Sequence, residues 1–204
     1  MQLTNIVAFG DSFTYGWVLP DQDLNNTFTS KHAWPHVLSK KLSCTYNNMA
    51  VPGASNREIW HRLLNYKFKK HDVAVVLWTW INRYAIITGP NNEHIEQVSI
   101  NTPIARRLDT ALHVNNDFDR MYDSYTYIDH ANRVLKERNI TVYNFGVDAL
   151  EDTPNWATAT SMCNISFLNV WKNFPYTADY SHPGVEAHQE MAEIMFNFIH
   201  RSQL

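Results

Sequence analysis

Cysteine is scarce in this sequence, and two other features that would assign the chain to a class of protein are missing. Cys44 and Cys163 cannot build a disulfide framework and lack metal-site spacing, so we expect free thiols in a reducing compartment. No run of about 18 apolar residues is present, so we expect no membrane span. The N-terminal residues carry no basic segment before an apolar one, so we expect no secretory signal and a cytoplasmic protein, with export by another route left open.

An excess of positive charge is also missing. The formal net charge is -3, and no basic run exceeds "KFKK" at residues 67–70. Because a phosphate backbone is bound through a basic surface, we expect no nucleic acid partner. Hydrophobic residues make up 45% of the chain and charged residues 18%, which is ordinary for a globular protein and excludes extensive disorder. The 204 residues predict one domain over 1–204 and leave the oligomeric state unknown.

Short apolar runs alternate with helical patterns along the chain. The runs that predict buried strands lie at residues 5–9, 73–78 and 140–145, with a weaker candidate at 45–50. The helical patterns lie at about 31–43, 56–68, 117–138 and 183–202. This alternation predicts an α/β fold, with a parallel sheet covered by helices on both faces. Two stretches fit neither pattern, about 14–30 and 83–116, and we expect them to be loop insertions near the functional site.

Ser12 follows the first predicted strand in "VAFGDSFTYGW", residues 7–17. Near the other end of the chain, Asp179 and His182 lie three residues apart, just before the last predicted helix. A serine hydroxyl becomes a good nucleophile when an imidazole takes its proton, and an acid fixes the tautomer of that imidazole. Ser12, Asp179 and His182 would supply such a triad, in a chain order known for triads. The alternative is an ordinary polar turn after the strand and a histidine that caps a helix.

Four short blocks, taken in order, resemble those of the SGNH/GDSL hydrolase family. They are "FGDS" at 9–12, "NNMAVPGASN" at 47–56, "VVLWTWIN" at 75–82 and "DYSHPGVEAH" at 179–188. The resemblance runs along the whole chain. It implies a flavodoxin-like, three-layer α/β/α sandwich around a five-stranded parallel sheet. It also implies an enzyme that needs no metal and no organic cofactor.

The resemblance assigns roles to individual residues. Ser12 would be the nucleophile, His182 the general base and Asp179 the acid that orients it. The oxyanion would be stabilised by the backbone N–H groups of Ser12 and Gly53 and by the side-chain amide of Asn82. Glycine suits position 53 because a backbone N–H must approach the substrate with no side chain in the way. An ordinary turn glycine is the alternative for Gly53.

The chain departs from the family pattern in the first and third blocks. Phe13 stands where leucine is usual, which keeps an apolar residue at that position. The third block, normally G-x-N-D, reads W-I-N-R at residues 80–83, so Trp80 replaces a glycine and Arg83 replaces an acid. We expect Trp80 and Arg83 to line the substrate pocket, and packing of Trp80 under the loop is an equal alternative.

Other polar residues are expected to act structurally. Asp11 would orient the turn before the nucleophile, and Asn48 would hold the second-block loop. His188 falls where the family often has a noncatalytic histidine. His32 and His36 have helical spacing, but two histidines are too few ligands for a metal site, so we predict none.

The function implied by the resemblance is that of a serine esterase. It would hydrolyse carboxylic esters of small molecules or carbohydrates, acetyl esters among them, through an acyl-serine intermediate. Two alternatives stay open. One is an acyltransferase, in which an acceptor hydroxyl replaces water. The other is a binding module that keeps the fold without turnover, for which Trp80 and Arg83 are the suspicious features. The pocket loops decide the substrate, so the acyl group and the alcohol are not predicted.

Overall fold

Five parallel strands form the central sheet of the computed structural model, which describes residues 3–22, 25, 27–81, 83–87, 95–98, 117–147 and 162–202. The strands of this sheet are β1 (Asn5–Phe9), β2 (Thr45–Asn48), β3 (Asp72–Trp78), β6 (Thr141–Gly146) and β7 (Met162–Ser166). Two further strands, β4 (Tyr84–Ile87) and β5 (Ile95–Val98), pair with each other in antiparallel register. The expected five-stranded parallel sheet is confirmed.

The strand order in the sheet is β2-β1-β3-β6-β7, and neighbouring strands run parallel. Val7 in the middle of β1 lies opposite Asn47 of β2 on one side and Ala74 of β3 on the other. This is the flavodoxin-like order, in which the chain reverses its direction of growth between β1 and β3. Ligands of such sheets bind beyond the carboxyl ends of the strands at this switch point. The ends of β1 and β3 are therefore the first place to look for a site.

Helices cover both faces of the sheet. Those that the structure describes are α1 (Ser12–Tyr15), α2 (Trp34–Lys41), α3 (Asn56–Asn65), α4 (Asp117–Glu137), α5 (Phe167–Trp171) and α6 (Val185–Ser202). Helices α2 and α6 pack on one face, and α3 and α4 pack on the other. The expected three-layer α/β/α sandwich is thus confirmed. Within the described ranges, no helix is long and apolar enough to cross a membrane.

Alternate residues of each strand enter opposite cores, because successive strand side chains point to opposite faces. Ile6 and Ala8 of β1 pack with α2 and α6, whereas Val7 and Phe9 pack with α3 and α4. All seven residues of β3 are buried. A strand at the centre of a doubly covered sheet has no solvent-facing side, so it reads as a continuous apolar run.

Several boundaries differ from the sequence-based expectation. The stretch 83–116 was expected to be a loop, but it contains β4 and β5, and its other residues lie outside the described ones. In the described part of the stretch 14–30, the only helix or strand is the end of α1, which extends to Tyr15. Strand β7 and helix α5 were not predicted. Both are short, with polar residues that break the periodic pattern.

A close approach of the chain to itself fixes the start of α1. A Cβ added at Gly10, between β1 and α1, would lie 2.0 Å from Thr14 Oγ1 and 2.7 Å from Thr14 Cβ. At the other end of α1, Gly16 has a φ of +79°, in the left-handed region that favours glycine. The two glycines let a single helical turn fold back tightly over the end of β1.

Candidate active site

Ser12 is the first residue of α1, directly beyond the carboxyl end of β1. Asp11 caps this helix, because its Oδ1 accepts a hydrogen bond of 3.0 Å from the N–H of Phe13. The N–H of Gly16 closes the turn by donating to the carbonyl of Ser12 at 3.0 Å. The Ser12 residue is only 5% exposed. The candidate nucleophile therefore sits on a turn held at both ends, at the switch point of the sheet.

Asp179 and His182 lie in a closed loop just before α6. An antiparallel bridge joins Tyr176 to Pro183. Inside this bridge, the N–H of Thr177 donates to the carbonyl of His182 at 3.0 Å. The two ends of the loop are thus fastened together, and its geometry is set by local contacts.

Within this loop, the imidazole of His182 is paired with the carboxylate of Asp179. His182 Nδ1 lies 2.6 Å from Asp179 Oδ2. The other oxygen, Oδ1, accepts hydrogen bonds from the Thr177 hydroxyl at 2.6 Å and from the backbone N–H groups of Ser181 and His182 at 3.0 and 3.2 Å. When Nδ1–H donates to the carboxylate, Nε2 carries the lone pair. The pair therefore has the arrangement of an oriented general base.

The environment of Asp179 keeps its carboxyl group ionised. Partial burial alone would raise the pKa of Asp179, but hydrogen bonds from the Thr177 hydroxyl, the Ser181 N–H and the His182 ring outweigh that effect. Together they hold the pKa of Asp179 well below its usual range. Thr177 was not among the predicted site residues. A hydroxyl residue two positions before an aspartate in a turn was the signal available for it.

An aromatic cluster, which comprises Phe13, Trp80, Trp171 and His182, joins this loop to the turn of Ser12. The rings of Phe13 and His182 meet edge to face, with centroids 5.7 Å apart. Phe13 also contacts Trp171 at 4.8 Å and Trp80 at 6.5 Å, again edge to face. Since Phe13 directly follows Ser12, this packing brings His182 beside the nucleophile turn from the far end of the chain. Trp80 is partly buried against the same core, as the packing alternative expected.

Asp11 and Arg83 form a partly buried ion pair beside the turn. Asp11 is fully buried, and its Oδ2 accepts hydrogen bonds from Thr79 Oγ1 at 2.6 Å and from Arg83 Nη1. Arg83 Nη1 also donates to Thr79 Oγ1 at 3.1 Å. Arg83 therefore acts as the counter-charge of Asp11, with its side chain 26% exposed.

Asn56 holds the backbone at the end of β3. Its Oδ1 accepts from the N–H of Thr79 at 2.8 Å, and its Nδ2 donates to the carbonyl of Thr79 and to Ser124 Oγ, both at 3.0 Å. The residue before Asn56, Ser55, caps α3, and its hydroxyl accepts from the N–H of Glu58. Asn56 and Thr79 were missed as site residues, because nothing local in the sequence indicates their pairing.

The second-block loop is attached to the same turn. Asn48 Nδ2 donates to the carbonyl of Thr14 at 2.8 Å, and Asn48 Oδ1 accepts from the N–H of Ala50 at 3.1 Å. Gly53, farther along this loop, has a φ of +79°, which favours glycine. Asn48 therefore ties the loop that carries Gly53 to α1. Asn82, the third predicted oxyanion donor, lies outside the described residues.

His188 is buried in α6, six positions after His182 in the printed sequence. It is 1% exposed, and its Nδ1 accepts a hydrogen bond of 3.2 Å from the backbone N–H of Trp34. Burial, with smaller contributions from the charges of His182 and His32, lowers the pKa of His188 to about 3. The neutral ring thus joins α6 to the first turn of α2.

We predict that His188 makes the protein lose stability as the pH falls. An unfolded histidine binds a proton below about pH 6.5, whereas the folded pKa is about 3. Between these values the unfolded state binds more protons, so the free energy of unfolding decreases with falling pH. His188→Gln keeps a hydrogen-bond acceptor and should lose less stability between about pH 7 and pH 5. Urea unfolding measures this, with the exposed His32→Gln as control. Equal pH slopes for His188→Gln and wild type would contradict the assignment.

Comparison with known proteins shows similarity at the level of the fold. No protein-family model matches the chain, and no curated protein matches it. A solved structure from Desulfitobacterium hafniense DCB-2, described as a lipolytic protein of the G-D-S-L family, has a TM-score of 0.60 and 14% identity, over 96% of this chain and 99% of that one. A psychrotrophic esterase from Pseudoalteromonas sp. has a TM-score of 0.55 and 12% identity, over 98% of each chain.

A third similar structure is a larger protein. It is a family two carbohydrate esterase from Clostridium thermocellum in complex with cellohexaose, with a TM-score of 0.56 and 14% identity. The alignment covers 98% of this chain and 64% of that one, so this chain spans about two thirds of its length. At such identities the likeness shows the fold alone. The chain therefore has an SGNH/GDSL hydrolase-like fold.

Proposed function

We propose that this protein is a serine esterase in which Ser12, His182 and Asp179 form the catalytic triad. The observation that carries the proposal is the oriented Asp179–His182 pair, packed through Phe13 against the turn of Ser12. The switch point of the sheet is where such a site is expected. Similar folds described as esterases and lipolytic proteins support the same reaction class.

The first chemical step is acylation of Ser12. His182 Nε2 takes the proton of the hydroxyl while Ser12 Oγ attacks the ester carbonyl carbon, and the carbonyl π electrons move onto its oxygen. The ionised Asp179 stabilises the resulting imidazolium and keeps its ring in the productive tautomer. The imidazolium then gives its proton to the departing alcohol as the tetrahedral intermediate collapses.

The negative charge on the carbonyl oxygen must be stabilised as it develops. We assign this to the backbone N–H groups of Ser12 and Gly53 and to the side-chain amide of Asn82. A water molecule, activated by His182 in the same way, then attacks the acyl carbon and releases the acid. Ser12 recovers its proton from His182, so bonds and protons balance over the cycle.

The substrate that we propose to test first is an acetyl ester of a carbohydrate. The support for a carbohydrate is the family two carbohydrate esterase from Clostridium thermocellum, whose structure contains cellohexaose. Esters of simple alcohols with acyl chains from acetyl to octanoyl complete the series. An added sugar acceptor distinguishes hydrolysis from acyl transfer to the sugar, because a hydrolase releases free acid whether or not the acceptor is present.

Removal of the nucleophile should abolish ester cleavage. Ser12→Ala is expected to lower kcat by at least about 10³-fold without unfolding the protein. Ser181→Ala is the matched control, because Ser181 Oγ also lies near His182, at 3.1 Å from its Nδ1. The control should stay within about tenfold of wild type, since its hydroxyl is on the Asp179 side of the ring. Full activity in Ser12→Ala, or a selective loss in Ser181→Ala, would overturn the nucleophile assignment.

The rate of ester cleavage should depend on the pairing of His182 with Asp179. Asp179→Asn should lower kcat by roughly 10²- to 10⁴-fold, since it favours the wrong tautomer. Thr177→Val removes one of the hydrogen bonds to Asp179 and should give a smaller loss. Initial rates of ester cleavage by the two variants, measured at one pH, test both points. A fully active Asp179→Asn would contradict the role of Asp179.

A further inference from the structure

We infer that Arg83 is a positioning residue, which neutralises Asp11 and fixes the turn of Ser12 to the segment that follows β3. The inference rests on the proposed function, because positioning is measured on ester cleavage. It concerns a residue that departs from the family pattern: Arg83 stands where that pattern has an acid.

The charge of Asp11 requires a partner. Asp11 is fully buried, and a carboxylate removed from water is strongly destabilising unless it is paired. Arg83 supplies the positive charge, and Thr79 supplies a hydroxyl donor. The reverse dependence is weaker, because the Arg83 side chain is 26% exposed and can be solvated. Loss of Arg83 should therefore harm the site more than loss of the Asp11 charge.

The two oxygens of Asp11 hold different parts of the site. Oδ1 caps α1 through the N–H of Phe13, and Oδ2 binds Thr79 and Arg83. One rigid carboxylate therefore connects the first turn of α1 to the chain beyond β3. Loss of a partner of Oδ2 should therefore also displace the peptide that precedes Ser12.

Thr79 and Arg83 are each bound by a side chain from another part of the chain. Asn56 binds both backbone groups of Thr79, and the Asp11 carboxylate binds Arg83. Between them, Trp80 packs against Phe13, and its carbonyl accepts from the N–H of Arg83 at 3.5 Å. The ion pair thus joins Arg83 to the nucleophile turn, and a displacement of reacting groups by about 1 Å can cost roughly 10²-fold in rate.

Electrostatics adds a second effect of the same sign. The proposed oxyanion forms beside the N–H of Ser12, the residue that follows Asp11. An unpaired negative charge on Asp11 would repel this oxyanion, and the repulsion would be strong because the surroundings exclude water. Ester binding precedes the formation of that charge. Removal of Arg83 should therefore lower kcat and leave KM nearly unchanged.

Three variants test the inference by steady-state kinetics on an ester that the wild type cleaves. Arg83→Met should lower kcat by about 10- to 100-fold, with KM within about threefold. Arg83→Lys keeps the charge but loses the planar fork, so its kcat should be intermediate. The double variant Asp11→Asn/Arg83→Met removes the buried charge and should recover part of the kcat lost in Arg83→Met.

The matched control is Arg62→Met. Arg62 pairs with Glu58 at 2.8 Å, and the Glu58 side chain is 1% exposed, so this variant also removes a cation from beside a buried acid, but on α3. It should lower the midpoint of thermal unfolding without changing kcat. If Arg83→Met fails to fold, the double variant and Arg83→Lys carry the test, since neither leaves a buried charge unpaired.

The outcomes separate the inference from the proposed function. An active wild type with Arg83→Met within twofold of its kcat overturns the inference alone. Equal kcat losses in Arg83→Met and Arg62→Met also overturn it, because they indicate a general effect of stability. If the double variant recovers none of the kcat lost in Arg83→Met, the electrostatic part of the inference is overturned. A folded wild type that cleaves no ester of the series overturns the proposed function and the inference together.

Discussion

The buried carboxylate of Asp11 is the interaction on which the candidate site depends. It lies at the switch point of the sheet, where α1 leaves β1 and where the chain leaves β3, and it binds groups from both places. Because the residue has no exposed surface, water does not replace a hydrogen bond that Asp11 loses. The position of Ser12 is therefore coupled to the interior of the fold, and the close approach at Gly10 adds a steric constraint on the same turn.

The second half of the site is built differently. Asp179 and His182 belong to a closed loop, with side chains 30% and 18% exposed, and most of their hydrogen bonds are made within that loop. What joins the loop to Ser12 is the packing of the His182 ring on Phe13. Contacts within the loop thus fix the geometry of Asp179 relative to His182. Nonpolar contacts fix the position of this pair relative to the nucleophile turn. Phe13 takes part in both halves of the site, because its N–H donates to Asp11 Oδ1 and its ring packs on His182.

Patterns local in sequence predicted the parts of the structure that depend on local contacts. Strands β1 and β3 were placed well because they are uninterrupted apolar runs, and the pairing of Asp179 with His182 follows from their spacing in a turn. Strands β4 and β5 lie in a polar stretch whose pattern predicted a loop. The partners of Asp11 were not predictable, because Thr79 and Arg83 reach it only after β1 and β3 have paired. The role of Arg83 as a counter-charge required the three-dimensional structure.

The most direct test of the account is to identify the residue that a fluorophosphonate modifies in the folded protein. The reagent is attacked by an activated serine, and peptide mass spectrometry locates the adduct. The account predicts one stoichiometric adduct on Ser12, which is lost when His182 is replaced by alanine or when the protein is unfolded before labelling. An adduct on another serine, such as Ser181, or labelling of Ser12 that does not depend on His182, would contradict it.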